Sequence, residues 1–259
     1  MKKSKLKGYI FTVCAVFFWL CIWQIVSVAI GKELLLPSPV SVFSRVAELA
    51  LKLDDFWLII LNSVKNILLG LALGFVLGTI CAVITSHVKA FEILLKPLIS
   101  IVKITPVASF ILLLILWMNR TDVPSFVSVL IVFPIVWANI SQGITSTDQG
   151  LKEVGKIYKL SPIKKLIYLY VPSVLPSALA SLMSSIGLAW KAGISAEILA
   201  LPHETIGYEI FQSKTYLNAL DVFAWTVIVV LLSVIIEKLI IFLIGALTKK
   251  ILSRRGSDA

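Results

Sequence analysis

Two ionisable residues lie inside one long apolar stretch of the chain. Lys191 and Glu197 stand six positions apart, and Trp190 and Ser195 are close to the lysine. A charged side chain in hydrocarbon costs about 2.5 to 3.5 kcal/mol on insertion scales, so each residue needs a partner or a watery cavity. Side chains six positions apart on a helix point about 120° away from each other, so these two are not expected to pair within one copy.

Two hypotheses remain open for Lys191. In the first, the lysine lines a path through the membrane and attracts an anion, with Trp190, Ser195 and Glu197 along the same path. In the second, it makes a structural contact with another helix or with a second copy of the chain. For Glu197 the structural contact is the favoured interpretation, because a buried charge needs a fixed partner.

The chain offers no pattern for catalysis or for metal binding. Its two histidines, His87 and His203, have no second ligand within reach in the sequence, and its three cysteines lie in apolar stretches without a C-x-x-C spacing. Residues 150–156 match the first seven places of a phosphate-binding loop, but Ile157 stands where a hydroxyl must bind magnesium. We therefore expect no cofactor, no ATP site and no enzyme activity on this chain.

The apolar stretches are long enough to cross a membrane. Of the 259 residues, 59% are hydrophobic and 15% are charged, which is more apolar surface than a soluble domain of this size can bury. A helix needs about 20 apolar residues to cross the hydrocarbon core. Six spans are predicted, at residues 9–30, 58–85, 98–118, 123–144, 173–201 and 222–247. The expected fold class is all-α integral membrane, with residues 1–259 as a single transmembrane domain.

Features within the spans predict how they pack. The first span is expected to be retained, because it is longer than a signal-peptide core and no A-x-A-like site follows it. Gly70, Gly74 and Gly78 recur every four residues in the second span, which predicts the close approach of another helix. Pro106, in the third span, removes a backbone hydrogen bond and is expected to bend its helix.

Basic residues flank the predicted spans unevenly. With six spans, both termini lie on one side of the membrane. Fifteen Lys and Arg lie in the terminal segments and the connections on that side, whereas five lie in the connections on the opposite side. By the positive-inside rule, both termini are expected in the cytoplasm of a multi-pass plasma or inner membrane protein. The same distribution argues against nucleic-acid binding as the reason for the net charge of +10, because these charges flank spans.

The longest cytoplasmic connection, residues 145–171, carries signals for two short helices. Asp148 can cap the first, and Ser161 followed by Pro162 is a favourable start for the second. An amphipathic helix can bury one stripe in the protein and present the other to a partner. The apolar stripe of the first helix, opposite its lysines, consists of Leu151, Val154 and Tyr158.

This segment resembles the E-A-A loop of binding-protein-dependent ABC transporter permeases. In that loop a glutamate and two small residues precede a glycine and, later, a hydrophobic-Pro pair. Glu153 stands at the glutamate position, Gly155 at a small-residue position and Pro172 at the proline position. The sequence departs from the pattern in two places, since Val154 replaces a small residue and Lys159 stands where the family usually has glycine.

The similarity extends over nearly the whole chain. Residues 36–39, 105–106 and 189–197 are similar, in order and position, to the subfamily that imports nitrate, sulfonates, taurine, bicarbonate or related solutes. The resemblance implies a type I ABC importer permease fold of about six transmembrane helices, with a cytoplasmic coupling helix in residues 145–171.

The resemblance also implies a function. The chain would be the permease subunit of an ATP-binding cassette importer and would form the path for a small solute. Its partners would be cytoplasmic ATPase subunits, an extracytoplasmic solute-binding protein, a second copy of itself and membrane lipid. The alternative is a secondary carrier driven by an ion gradient, which would use acids such as Glu197 and Glu237 as relay points. The residues that would couple to the ATPase are Glu153, Val154, Gly155, Lys159, Leu160, Ser161 and Pro172.

Overall fold

The regular structure of the described chain is helical. A computed structural model describes the backbone of residues 2–257, and side chains over residues 11–243 apart from 152, 156 and 162. Within that part the helices are α1 (Lys2–Ile30), α2 (Pro39–Lys52), α3 (Phe56–His87), α4 (Lys89–Ile104), α5 (Val107–Trp117), α6 (Val123–Thr145), α7 (Gln149–Ile157), α8 (Pro162–Lys165), α9 (Val171–Ala200), α10 (Ile206–Thr215) and α11 (Ala219–Ser257). A π-helical turn, Leu166–Tyr170, joins α8 to α9 without a break.

Five of the described helical segments are long and apolar enough to cross a membrane. The number is six if the bent pair α4 and α5 is counted as one span. The predicted spans 9–30, 58–85 and 123–144 lie within α1, α3 and α6. The predicted span 222–247 lies in α11, and the span predicted at 173–201 belongs to a longer helical run, Ile163–Ala200. The all-α membrane fold predicted from the sequence is confirmed.

The segment predicted as the third span, 98–118, is not a single helix. It is divided between α4 and α5, and the chain bends by 107° from one helix to the other. Pro106 has no N–H to donate, and its ring disfavours a helical conformation of the preceding residue, Thr105, which is extended at φ −70° and ψ 131°. The bend predicted at Pro106 is therefore a complete break of the helix.

The core of the bundle consists of α3, α6 and α9. Helix α3 lies against α6 along the three glycines of the predicted ridge. A Cβ atom at Gly74 would lie 2.8 Å from Cβ of Val132, and one at Gly78 would lie 2.9 Å from Cβ of Val136. Both contacts would strike atoms fixed close to the α6 backbone, so the two helices can pack this closely only where α3 has no side chain.

Helix α9 approaches α3 and α6 in the same way. A Cβ atom at Gly193 would lie 3.0 Å from Cδ1 of Ile67 on α3 and 3.1 Å from Oγ of Ser128 on α6. Ala189 and Ala196, on the same helix, are fully buried. Small residues on α9 therefore set its distance from both neighbours.

The two ends of the bundle are distinguished by the short helices between spans. One end, called the α7 side, carries α7 and α8 and the last turn of α3; the other, called the α10 side, carries α2 and α10. On the α10 side Arg45 of α2 binds Asp221 at the start of α11 through two contacts, Nε to Oδ1 at 2.5 Å and Nη2 to Oδ2 at 3.1 Å. This bidentate ion pair attaches α2 to the last long helix.

The packing of α3 on α6 gives a testable prediction. Replacing Gly74 by Ala should destabilise the protein by about 1 to 3 kcal/mol, because the added methyl group would overlap a fixed part of α6. Thermal unfolding of the purified protein in detergent measures the effect. Gly187→Ala is the matched control, because a Cβ atom there would meet nothing within 4 Å. Equal unfolding midpoints for the two variants would contradict this account of the α3 and α6 contact.

Candidate functional site

The segment between α6 and α9 contains the two capped helices that its sequence predicts. Asp148 Oδ1 accepts a hydrogen bond from the Leu151 backbone N–H at 3.0 Å, at the start of α7. Ser161 Oγ accepts one from the Lys164 N–H at 3.4 Å, at the start of α8. The caps satisfy backbone donors that the first turn of a helix leaves free.

The second of these helices is continuous with the membrane span that follows. Helix α8 passes through the π-helical turn into α9, and the Val171 N–H bonds to the Leu166 carbonyl oxygen, five residues earlier. Pro172 follows directly, near the start of α9, and its missing N–H removes one backbone hydrogen bond at the junction with the π-helical turn. The segment from Pro162 to Ala200 is therefore one helical body, and a displacement at its α7 end can reach the span.

Lys159 makes the turn between α7 and α8. Its φ angle is +49°, in the left-handed region that glycine adopts without strain. The Leu160 N–H donates to the Gly155 carbonyl oxygen at 3.1 Å and closes the turn. The backbone thus adopts the conformation that suits the usual glycine of this loop, and Lys159 bears a strain of about 1 kcal/mol.

Gly155 is the buried contact between α7 and the turn before α9. A Cβ atom at this position would lie 2.6 Å from Cδ1 of Leu169, so Leu169 would have to move to admit a side chain. Leu169 is itself buried. This contact holds α7 against the start of the α9 helical body.

The apolar stripe of α7 faces outward. The sequence alone allowed this stripe to be buried in the protein, and the structure does not bury it. Leu151 and Val154 are each 45% exposed, and Ile157 and Tyr158 are each 74% exposed. The chain therefore buries the side of α7 that carries Gly155 and leaves the apolar stripe of α7 exposed to solvent. Glu153 is exposed beside this stripe and forms no ion pair with a side chain in the described ranges.

A groove of about 710 Å³ adjoins this segment. It lies between α3, α6 and the start of α9, and most of its lining is apolar. Lys165 and Tyr170 of the connecting segment and His87 at the end of α3 are among its polar residues. The groove leaves space beside the connecting segment, so this segment is not packed on all sides.

The four residues predicted along a membrane path are divided between two environments. Lys191 and Ser195 are exposed and line a smaller cavity of about 340 Å³ between α5, α6 and α9. Trp190 is buried, and its Nε1 donates to the Val229 carbonyl oxygen of α11 at 3.2 Å. Glu197 is fully buried near the α10 side of the bundle. The structure thus brings together only Lys191 and Ser195 of the four.

Glu197 lies in a polar cluster that the sequence analysis did not assemble. Ser63 of α3 donates to Glu197 Oε2 at 2.9 Å, and the Gly207 backbone N–H donates to the same oxygen at 3.0 Å. The cluster joins residues that are 134 positions apart in the chain. The partners of Glu197 lie on two other helices, so spacing along the chain gave no signal of them.

A protein-family model for the binding-protein-dependent transport system inner membrane component matches residues 74–253. The chain belongs to this family. The predicted resemblance to binding-protein-dependent ABC transporter permeases is thereby confirmed. The protein is an inner membrane permease component with several apolar helices.

Individual permeases are similar over most of their length. A Bacillus subtilis protein with the provisional name aliphatic sulfonates transport permease protein SsuC is 26% identical over 241 residues, covering 92% of this chain and 85% of that protein. The formylaminopyrimidine transport permease ThiX of Halalkalibacterium halodurans is 29% identical over 217 residues, covering 83% and 85%. The nitrate import permease NrtB of Synechococcus elongatus is 27% identical over 226 residues, covering 82% and 79%.

A solved structure shows the same fold. The permease chain is similar to a chain in the crystal structure of an amino acid ABC transporter with histidines, with a TM-score of 0.59 and 16% sequence identity. The match covers 76% of this permease and 94% of that chain. At this identity the likeness concerns the fold alone.

The strain at Lys159 is testable in the permease. Lys159→Gly should tighten the turn, whereas Lys159→Val should loosen it, because a β-branched residue is disfavoured at positive φ. Backbone hydrogen exchange across residues 149–170 measures both, and the valine variant is expected to exchange about tenfold faster than the glycine variant. Lys164→Val, in helix α8, is the control and should leave the turn between α7 and α8 unchanged. Equal exchange in the two Lys159 variants would show that the turn does not depend on this residue.

Proposed function

We propose that this permease is the membrane subunit of an ATP-driven importer and that α7 is its contact with a cytoplasmic ATPase. In this arrangement both termini and the α7 side face the cytoplasm, in agreement with the uneven distribution of basic residues. The observation that carries the proposal is the open apolar stripe of α7. A subunit that leaves Ile157, the last residue of a capped helix, and Tyr158, in the turn that follows, each 74% exposed presents a surface suited to another protein.

Three features support a role of α7 in transmitting force. The caps at Asp148 and Ser161 give the segment a defined shape, and Gly155 packs it on Leu169. Beyond Leu169 the helical body continues into α9. Closure of an ATPase bound to α7 would therefore displace α9, and the groove beside the connecting segment leaves room for this movement.

The remaining partners follow from the family. A binding-protein-dependent system requires a solute-binding protein, which would dock on the α10 side, and ATPase subunits on the α7 side. We propose that a second copy of the permease completes the path, with Lys191 facing it. The charge of Lys191 in this chain and the nitrate named for one relative both support a small anion as the solute.

The contact with the ATPase is tested at Glu153. Glu153→Lys should reduce co-purification of the ATPase about ten- to hundredfold, because an exposed carboxylate suited to a basic groove would be replaced by a repelling charge. Asp54→Ala, which removes an exposed carboxylate on the α10 side, is the control. Co-purification and transport by Glu153→Lys at wild-type level would reject this role for α7.

The path is tested at Lys191. Cells with Lys191→Glu should take up labelled nitrate, bicarbonate or an aliphatic sulfonate at least about tenfold more slowly than wild-type cells that transport the same anion, because the cavity would repel it. Lys191→Arg keeps the charge and should retain most uptake. Lys238→Glu, at an exposed position of α11, controls for the effect of a charge change elsewhere. Wild-type uptake by Lys191→Glu, at equal protein levels, would remove Lys191 from the path.

A further inference from the structure

The start of helix α10 is held by side chains from two other helices. The Ile206 N–H donates to Ser63 Oγ of α3 at 2.9 Å, and the Gly207 N–H donates to Glu197 Oε2 of α9 at 3.0 Å. The Tyr208 N–H donates to Thr205 Oγ1, the local cap, at 3.4 Å. The first turn of a helix leaves its N–H groups without intrahelical partners, so these bonds replace the missing ones. Two of the three come from membrane spans.

The cluster is buried and closely packed. Ser63 and Glu197 are both fully buried, and the hydroxyl that accepts from Ile206 also donates to Glu197 Oε2 at 2.9 Å. A carboxylate is stabilised by the partial positive charge at a helix N-terminus. At Gly207 a Cβ atom would lie 2.6 Å from the backbone nitrogen of Ile198, so α10 lies directly against the α9 backbone.

The bonding of Glu197 is uneven. Oε2 accepts both hydrogen bonds, whereas Oε1 has no partner within the described part of the chain although it is buried. Burying a carboxylate with one oxygen unsatisfied is costly, so the residue is not explained by stability alone. Its two bonds join α9 to α10 and to α3 at one point.

Helix α9, which carries Glu197, also lines the proposed solute cavity with another of its faces. Lys191 and Ser195 line that cavity, and Lys191 lies about 9 Å from Glu197 along the helix axis. The opposite edge of α9, at Gly193, is fixed against Ile67 and Ser128. Movement of α10 would therefore act on α9 within two turns of the cavity.

We propose that Glu197 is a positioning residue that clamps the start of α10 to α9 and α3, so that displacement of α10 changes the cavity at Lys191. The agent of displacement would be the proposed solute-binding protein, which would dock on the α10 side, where Tyr216 and Leu217 after the end of α10 are 78% and 74% exposed. This inference rests on the proposed function, because it assumes that α9 lines the solute path.

Two near-isosteric variants separate the hydrogen bonds from packing. Glu197→Gln keeps an acceptor oxygen for Ser63 and Gly207, and Glu197→Met keeps the length of the side chain without one. In the full-length protein in lipid nanodiscs, α10 of Glu197→Met should exchange its backbone hydrogens about tenfold faster than wild type, whereas Glu197→Gln should stay close to wild type. Ser184→Ala, which removes a hydroxyl of α9 that bonds only within its own helix, is the control.

A second measurement tests the effect on the cavity. Lys191→Cys, in a protein whose Cys14, Cys21 and Cys81 are replaced by Ala, is labelled with a membrane-impermeant charged thiol reagent. Adding Glu197→Met should change the labelling rate about tenfold, and adding Glu197→Gln should not. An unchanged labelling rate with a loosened α10 would overturn the link to the cavity.

The remaining outcomes are decided by exchange alone. Equal α10 exchange in the Gln and Met variants would overturn the role of the acceptor oxygen. If Glu197→Met loses protection in every helix, Ser63→Ala is measured instead, and normal exchange of its α10 would overturn the clamp. Failure of the Lys191 uptake experiment would count against the proposed path and would leave the exchange results on Glu197 as they stand.

Discussion

A backbone in hydrocarbon must satisfy its hydrogen bonds within its own segment, and this constraint shapes the permease. It makes each span a helix, but it provides no attraction between helices, because lipid is as apolar as their side chains. Association then depends on close contact between surfaces. Gly74 and Gly78 of α3, and Gly193 of α9, supply that contact by exposing backbone to the neighbouring helix. The rest of the bundle is arranged around the resulting α3, α6 and α9 core.

Helix α9 connects the functional parts of the molecule. At one end it continues from α8 and so from the proposed ATPase contact. In the middle it presents Lys191 to a cavity, and near its other end Glu197 binds the start of α10. Since one continuous helical body carries all three, displacement at either of the two proposed contacts, α7 or α10, would have a route through α9 to the cavity. The loose packing beside the π-helical turn and the tight packing at Gly193 distinguish the part that can move from the part that is held.

Local chemistry explains why some features were predictable. Asp148 and Ser161 lie within three residues of the N–H groups that they cap, so their role can be predicted from the sequence. The third span shows the limit of such inference, because hydropathy measures length and composition but not direction. Pro106 indicated a bend, whereas its angle of 107° depends on what α4 and α5 pack against.

The direction of an amphipathic face is a second limit. The spacing of Leu151 and Val154 predicts an apolar stripe on α7, but it does not predict which side of α7 packs against the rest of the protein. Gly155 decided it, because the smallest side chain allows α7 to approach Leu169 and turns the apolar stripe outward. At Lys159 the sequence departs from the family's usual glycine, and the backbone adopts the left-handed conformation all the same, since closure of the α7 and α8 turn outweighs a strain of about 1 kcal/mol.

The sequence by itself determined the membrane class, the helical character of the spans, the two caps and the permease family, because these depend on composition and on residues close together in the chain. Only the tertiary structure separated Lys191 and Ser195 from Trp190 and Glu197, and only it joined Glu197 to Ser63 and Gly207. The reason is that a helix has several faces, and the neighbour that each face meets is set by segments far away in the sequence.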